Sequence, residues 1–299
     1  MDNLQAEFGI PEAVSITDGI NGLPKVVLTH QSGSSAEVHL HGAHITSWKN
    51  ASGEELFFVS RESNFALGKP IRGGIPVCFP QFSGQGPLPQ HGIARTSEWR
   101  LIQTNLLDNG TVAAELQLAE SPETLAIWPH RFTIALCVLL DENTLSALVQ
   151  VANTDDSTFS FQIALHTYFG VADIRQTSVN GLEGITFIDS LRDKIQEVES
   201  RPVIRFAEET DRIYVNAPDS LRVGDEGHGR SIGIEKRNLP DAVVWNPWIA
   251  KSQKMADFGD DEYINMVCVE TGCIASHVEL SPGGQWLGET TFTVREELA

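Results

Sequence analysis

The chain has 299 residues, of which 41% are hydrophobic and 20% charged. This composition is that of a globular protein and excludes disordered, collagenous and coiled-coil classes. Lys and Arg number 21 against 40 Asp and Glu, a formal net charge of −19. So acidic a chain has no basic surface for a phosphate backbone. We therefore expect neither nucleic acid nor a membrane as a partner. If the protein binds an anionic small molecule, the binding site must contain its own arginines.

The four cysteines, Cys78, Cys137, Cys268 and Cys273, show no C-x-x-C spacing and are too few for a disulfide framework. The first residues lack the basic and apolar regions of a signal peptide, and no uncharged apolar run approaches about 18 residues. These features predict a cytoplasmic protein.

Apolar residues alternate with polar ones along several successive segments, which is the pattern of half-buried strands. The segments lie at 112–118, 132–140, 145–151 and 159–165. Polar clusters at 141–143 and 153–156 separate them, and such short polar turns join antiparallel neighbours. The sequence therefore predicts successive antiparallel strands.

Helical signals are few: a short helix opening at Ser121 and a second within 252–265. Because strands and helices do not alternate, we predict an all-β sandwich or barrel-like architecture instead of a parallel α/β sheet. No linker or repeat divides the chain, so one domain over 1–299 is expected. The stretches 60–100 and 216–265 read as long loops, which on a rigid sheet commonly build sites.

Two residues are candidates for acid and base chemistry. His166 follows the strand 159–165 and shares the parity of Ser160 and Gln162, so its side chain should face away from the apolar side. Glu270 is interpreted as closing an apolar strand before a turn at Gly272, where poor solvation would raise the pKa of its carboxyl. A structural histidine and a buried salt bridge would give the same patterns.

Arginine lies beside glycine in two segments, at Arg72-Gly73-Gly74 and at Gly92-Ile93-Ala94-Arg95. Bare glycine backbone lets N–H groups approach an anion, and the guanidinium fork suits a phosphate bidentately. Together the two segments suggest an oxyanion clamp, although two such pairs also arise by chance.

Other motifs carry weaker signals. Gly33, His39 and His41 match the opening of the cupin metal motif, but no glutamate follows at the required spacing, so no metal is expected; His44 is interpreted as a polar residue near a turn. The aromatic segment 245–248 could stack on a sugar ring or simply cover the core.

Six ordered motifs, taken together, resemble one family. They are 70–80 (PIRGGIPVCFP), 89–95 (PQHGIAR), 165–169 (LHTYF), 211–214 (DRIY), 244–248 (VWNPW) and 267–270 (VCVE). This set is similar to the glucose-6-phosphate 1-epimerase (hexose-6-phosphate mutarotase) branch of the aldose 1-epimerase family, and the similarity runs from about residue 41 to 270.

The resemblance implies a galactose-mutarotase-like β-sandwich of large antiparallel sheets and no metal or organic cofactor. Separately, we expect a monomer. It implies that His166 and Glu270 are the catalytic pair. It also implies that the substrate-binding residues are Arg72, Gln90, His91, Arg95 and Asp211, with the arginines on the phosphate. The implied reaction interconverts the α and β anomers of a hexose 6-phosphate through ring opening, Glu270 acting as base and His166 as acid.

Three alternatives stay open at the level of sequence. An aldose 1-epimerase could act on unphosphorylated sugars, which the two arginines disfavour. A non-catalytic protein could bind a sugar or sugar phosphate on the same sandwich. A glycosidase would need a second carboxylate at a defined distance from Glu270, for which Asp211 is a candidate.

Overall fold

The computed structural model describes residues 2–296, and nearly all of its regular structure is antiparallel β-sheet. The α-helices in this range are α1 (Asp2–Phe8), α2 (Pro122–Ile127) and α3 (Trp248–Ser252). Short 3-10 helices cover Ile20–Gly22, Ala94–Thr96, Ile174–Gln176, Glu226–His228 and Glu262–Asn265. The strands are β1 (Val14–Asp18), β2 (Pro24–Thr29), β3 (Ser35–His39), β4 (His44–Lys49), β5 (Val77–Cys78), β6 (Arg100–Leu106), β7 (Val112–Ala119), β8 (Phe132–Leu140), β9 (Thr144–Asn153), β10 (Phe159–Leu165), β11 (Tyr168–Gly170), β12 (Thr177–Asn180), β13 (Thr186–Asp189), β14 (Ile195–Val198), β15 (Val203–Arg205), β16 (Thr210–Tyr214), β17 (Ser220–Asp225), β18 (Arg230–Arg237), β19 (Asp241–Asn246), β20 (Met266–Leu280) and β21 (Gln285–Glu296).

The strands form three sheets. A nine-stranded sheet has the order β15-β12-β17-β18-β21-β9-β8-β7-β6. An eight-stranded sheet has the order β14-β13-β16-β19-β20-β10-β5, with β11 also paired to β20. The first four strands form a separate sheet in chain order, β1-β2-β3-β4. The predicted all-β sandwich of large antiparallel sheets is confirmed.

The two large sheets pack face to face. Phe169 on the eight-stranded sheet meets Phe292 on the nine-stranded sheet edge to face, with 5.5 Å between ring centroids. Phe161 and Trp286 make a second such contact at 5.8 Å. Buried residues of the four-stranded sheet, among them Trp48, belong to the same hydrophobic cluster. One continuous core therefore lies beneath all three sheets.

Alternation along the eight-stranded sheet separates the core from the other face. On β20, Val267 and Val269 belong to the main core, whereas Met266 and Cys268 belong to a second cluster on the opposite side. Side chains of a strand alternate between faces, so Glu270 lies on the side of Cys268. We call this side of the eight-stranded sheet the outer face.

Most predicted elements agree with the structure, and three do not. The short helix is α2, with the Ser121 hydroxyl capping the Thr124 N–H. The stretch 252–265, by contrast, holds only the end of α3 and one 3-10 turn. The segment 216–265 is not a long loop, because β17, β18 and β19 lie within it.

Gly272 is not in a turn. It pairs with Ala164 inside β20, and a Cβ on Gly272 would lie 2.5 Å from the Ile163 carbonyl oxygen.

Among the described residues, no helix is both long and apolar enough to cross a membrane. The expected single domain over 1–299 stays a prediction, and its last three residues lie outside the described range.

Candidate active site

The outer face brings three of the predicted site residues together from distant parts of the chain. His166 directly follows β10, and its backbone N–H donates to the Pro76 carbonyl. Glu270 lies in the middle of β20, opposite Val243 of β19. Asp211 lies on β16, opposite Trp245 of β19. The parity argument for His166 agrees with this placement, since Phe161, Ile163 and Leu165 all lie in the main core.

His166 and Glu270 form a buried pair. Nδ1 of His166 and Oε1 of Glu270 are 3.3 Å apart, and the two residues are only 6% and 1% exposed. Nδ1 of His166 and Oε2 of Glu270 have no hydrogen-bond partner in the described chain. Buried polar atoms are nearly always satisfied, so unpaired ones at one point mark a place where a ligand could complete the bonding.

Burial favours the uncharged form of both residues. The pKa of His166 is held well below its ordinary value by desolvation and then by the positive charges of Arg72 and Arg95. The pKa of Glu270 is raised well above its ordinary value by desolvation and by nearby Asp211, against the opposing effect of Arg95. In the free pair, burial therefore favours the arrangement with the proton on the carboxyl over the ion pair. Because the two groups are coupled, that proton belongs to the pair.

Aromatic rings fix the orientation of the His166 imidazole. Its ring lies parallel to that of Tyr168, at 4.8 Å between centroids and 7° between planes. Trp245 meets it edge to face at 6.1 Å, and His91 lies 5.2 Å away. Trp245 thus faces the pair of His166 and Glu270, and the aromatic segment 245–248 does more than cover the main core.

His91 is buried in the site as a neutral ring. Its Nδ1 accepts the Ser83 N–H at 3.3 Å and lies 3.1 Å from the Cys78 sulfur. Burial, together with the charges of Arg95 and Arg72, lowers the pKa of His91 to about 3. His91 is therefore neutral at physiological pH.

Arg72 is held by two partners near the pair. Its Nε and Nη2 both donate to Oδ2 of Asp257, at 3.2 and 3.0 Å, and its Nη1 donates to the Tyr168 hydroxyl at 3.0 Å. Burial acts to lower the pKa of Arg72, but Tyr168 and Asp257 together raise it, so the guanidinium stays charged. The Arg72 side chain is thus fixed next to the ring that stacks on His166.

The backbone after Arg72 is packed so closely that only glycine fits. Gly73 and Gly74 have φ of 124° and 58°. A Cβ on Gly73 would lie 2.3 Å from the Phe58 carbonyl, and one on Gly74 would lie 2.1 Å from the Ile45 carbonyl. The two glycines therefore set the close packing that places Arg72.

Arg95 is a buried cation with little compensation. It is 8% exposed, its Nη2 donates to the Gln90 carbonyl at 3.0 Å, and its Nε has no partner in the described chain. Burial lowers the pKa of Arg95. A buried, incompletely bonded guanidinium favours an anion, which would supply the missing acceptor.

Gln90 and Asp211 are placed differently from the rest. The Gln90 side chain is exposed, and its contribution within the chain is the carbonyl that accepts from Arg95. Asp211 is half-buried, and burial raises the pKa of its carboxyl against a hydrogen bond from Ser190 and the charge of Lys251. The nearby Asp211 also raises the pKa of the Glu270 carboxyl.

The predicted histidine cluster has a structural place. Nε2 of His41 lies 2.7 Å from the Lys69 carbonyl, and Nε2 of His44 lies 2.6 Å from the Gly73 carbonyl. His44 is fully buried instead of lying at a polar turn. These rings therefore bond to the loop that carries Arg72.

One group of donors could hold a metal ion. The donor atoms of His166, Cys268 and Glu270 lie within 4.8 Å of one another. Burial and the charge of Glu270 raise the pKa of the Cys268 thiol well above its ordinary value. A metal ion would have to displace the thiol proton in order to bind Cys268.

Two residues in direct contact with the site were not selected from the sequence. Tyr168 stacks on His166 and bonds Arg72, and it stood in the recognised motif 165–169. Asp257 carries the charge opposite Arg72. In the sequence, Asp257 is marked only by its position after the aromatic segment 245–248. The residues around it do not indicate that its side chain pairs with Arg72.

The family model for aldose 1-epimerase matches residues 24–293. The chain belongs to the aldose 1-epimerase family. The match includes all seven predicted site residues and all three sheets apart from β1 and the last residues of β21.

Similar proteins agree with this membership. A provisionally named glucose-6-phosphate 1-epimerase of Cenchrus ciliaris is 42% identical over 91% of this chain and 85% of its own length. One of Escherichia coli K12, with the same provisional name, is 38% identical over 84% of each chain. The crystal structure of a provisionally assigned mutarotase from Salmonella typhimurium superposes with a TM-score of 0.88 at 31% identity, covering 99% of this chain and all of that one.

Proposed function

We propose that this protein is a hexose-6-phosphate mutarotase, an isomerase that interconverts the α and β anomers of hexose 6-phosphates, with glucose 6-phosphate as the expected substrate. The observation that carries the proposal is the buried pair of His166 and Glu270 beside two arginines, Arg72 and Arg95. Family membership and the names of the similar proteins support it.

The pair supplies the two proton transfers that anomer exchange needs. Glu270 as carboxylate removes the proton from the O1 hydroxyl, and His166 as imidazolium protonates the ring oxygen O5, so the ring opens to the aldehyde. Rotation about C1–C2 exposes the other face of the carbonyl. Ring closure then reverses both transfers and returns each proton to its donor.

The cycle starts from the ion pair of Glu270 carboxylate and His166 imidazolium. This form has the same number of protons as the neutral form, in which Glu270 is a carboxyl and His166 an uncharged imidazole. The proton would move between Oε1 of Glu270 and Nδ1 of His166, which lie 3.3 Å apart but are not aligned as a hydrogen bond in the free protein. No proton need enter from solvent, which suits a pair that is almost fully buried.

The arginines would bind the phosphate away from C1. Arg95 lacks an acceptor at Nε, and Arg72 is held in place by Asp257 and Tyr168. Anchoring the phosphate orients C1 at the pair, so binding energy from a remote group supports the reaction. Gln90, His91 and Asp211 are proposed as further sugar contacts.

Anomer exchange at C1 tests the proposal directly. We would measure the α/β exchange rate of glucose 6-phosphate by NMR with and without the protein, in the presence of EDTA, with free glucose as the parallel substrate. Faster exchange for the phosphate alone supports a phosphate-specific mutarotase. Equal acceleration of both sugars would indicate an aldose 1-epimerase without phosphate preference, and binding without acceleration would indicate a non-catalytic binding protein. The chain is further expected to act in the cytoplasm, as a monomer and without a cofactor.

A further inference from the structure

The phosphate site and the catalytic pair are physically joined in this structure. Nη1 of Arg72 donates to the hydroxyl of Tyr168 at 3.0 Å, and the Tyr168 ring stacks on His166 at 4.8 Å and 7°. His166 in turn lies 3.3 Å from Glu270. Four side chains thus form one continuous path from the phosphate-binding arginine to the proposed base.

Several charged and titratable groups surround the pair. The groups facing His166 are Arg72 and Arg95 from the two arginine loops, His91, Tyr168 of β11, and Cys268 and Glu270 of β20. Arg72 and Arg95 both lower the pKa of His166, whereas Arg95 and Asp211 are the charged groups that act on Glu270. Arg72 bonds the ring that stacks on His166, so its positive charge opposes the imidazolium.

We propose that the phosphate of the substrate takes part in catalysis beyond anchoring: bound on Arg72, it offsets the positive charge facing His166 and moves the shared proton from Glu270 to His166. The inference rests on the proposed function and goes further, because it makes the phosphate an activator of the acid and base. The O–H bond of the Glu270 carboxyl breaks, an N–H bond forms at Nδ1 of His166, and two neutral groups become carboxylate and imidazolium.

Two features of the path favour this transfer. Asp257 already offsets part of the Arg72 charge, and a phosphate dianion adds two negative charges at the same guanidinium. The face of the Tyr168 ring lies against His166, and an aromatic face attracts a cation electrostatically. Both effects stabilise the imidazolium at a buried position where charges interact strongly.

The test presents the substrate in two pieces, free glucose and phosphite dianion. We would measure enzymatic α/β exchange of glucose by NMR at increasing phosphite, subtracting the exchange that phosphite causes without protein. A tenfold increase in the ion-pair population corresponds to about one pKa unit at His166. We expect phosphite to accelerate enzymatic glucose exchange about tenfold, with saturation.

Two variants assign the effect to the Arg72 charge. Arg72→Gln removes the charge on which phosphite would act, so phosphite should no longer accelerate glucose exchange above that variant's own rate without phosphite. Arg61→Gln is the matched control, since Arg61 is a nearby exposed arginine bound to Glu262, and it should keep the full response.

The protonation state gives a readout independent of rate. In protein labelled with 15N at histidine, with His166→Gln used for assignment, phosphite should move the His166 ring nitrogens toward imidazolium shifts. Phosphite that leaves both the glucose rate and these shifts unchanged, while glucose 6-phosphate is turned over, would show that the phosphate only anchors. Persistence of the response in Arg72→Gln would also overturn the inference. Absence of exchange on glucose 6-phosphate itself would instead refute the proposed function.

Discussion

The hydroxyl groups of Thr271 and Thr290 lie 2.6 Å apart in the core, on β20 and β21, and so join the two large sheets directly behind Glu270. Thr271 points into the core because it alternates with Glu270 along the same strand. The Glu270 carboxyl, the proposed base, is therefore carried by a strand that is bonded to the opposite sheet one residue away.

This bond predicts a non-additive effect on stability. Thr290→Val leaves the buried Thr271 hydroxyl without its partner and should lower the free energy of unfolding by about 1 to 3 kcal/mol. The double variant Thr271→Val, Thr290→Val removes both polar groups and should recover most of that loss. Urea denaturation of the four forms measures the coupling, and additive losses would contradict it.

Replacing the proposed base should abolish catalysis without unfolding the protein. Glu270→Gln keeps the shape of the side chain but cannot accept the O1 proton, so we expect the exchange rate of glucose 6-phosphate to fall by about 100-fold or more. Burial favours the neutral carboxyl, so the neutral amide should leave stability unchanged or higher. Near-normal turnover would remove Glu270 from the mechanism.

Arg95 should show a conflict between stability and binding. Arg95→Met removes a buried, incompletely bonded cation and should raise the free energy of unfolding of the free protein by about 1 kcal/mol. The same variant should raise KM for glucose 6-phosphate more than tenfold. Inorganic phosphate should raise Tm of the wild type but not of the variant. A variant that loses stability and keeps its KM would show that Arg95 is structural.

The backbone beside Arg72 should not tolerate a side chain. Gly74→Ala adds a Cβ at 2.1 Å from the Ile45 carbonyl in a left-handed conformation, and we expect a loss of about 2 to 4 kcal/mol in the free energy of unfolding. Gly53→Ala is the control, because its φ is 83° and its Cβ would meet nothing within 4 Å. That variant should lose only about 1 kcal/mol. If Gly74→Ala and Gly53→Ala lost the same free energy of unfolding, the close packing at Gly74 would not contribute to the cost of adding a Cβ there.

Buried neutral histidines should make the protein sensitive to acid. Burial lowers the pKa of His44 to about 3, and burial with the charge of Lys25 lowers that of His39 to about 4, from 6.5. Below pH 6.5 the unfolded chain binds protons at these positions and the folded protein does not, so stability falls as pH falls.

When the pH is lowered from 7 to 5, each such histidine should lower the free energy of unfolding by about 2 kcal/mol. In His44→Phe the difference in unfolding free energy between the two pH values should shrink by that amount, whatever the stability at pH 7. An unchanged difference would show that His44 is protonated in the folded protein.

Local alternation in the sequence predicted much of this architecture. β7, β8, β9 and β10 match the four predicted segments, because each has a core face that repeats at every second residue. The same parity placed His166 on the outer face. β17, β18 and β19 were read as loop, although their core residues such as Val223 and Ile232 are as buried as those of the strands predicted correctly.

Contacts between distant segments were beyond the reach of sequence patterns. The bonds of Arg72 to Asp257 and of His44 to the Gly73 carbonyl depend on how loops fold over the sheet. Neither residue of such a pair carries a local sign of its partner. Gly272 was misread for a related reason: glycine usually signals a turn, but here it lets the neighbouring strand approach closely.

Over residues 266–274 of β20, the side chains of the outer face and those of the main core are interleaved along one strand. Inserting or deleting a single residue before Glu270 would turn the carboxylate into the core and bring valines to the outer face. Within residues 266–274, substitutions at even positions change the outer face and those at odd positions change the packing of the core, whereas a frame change of one residue would disturb both at once.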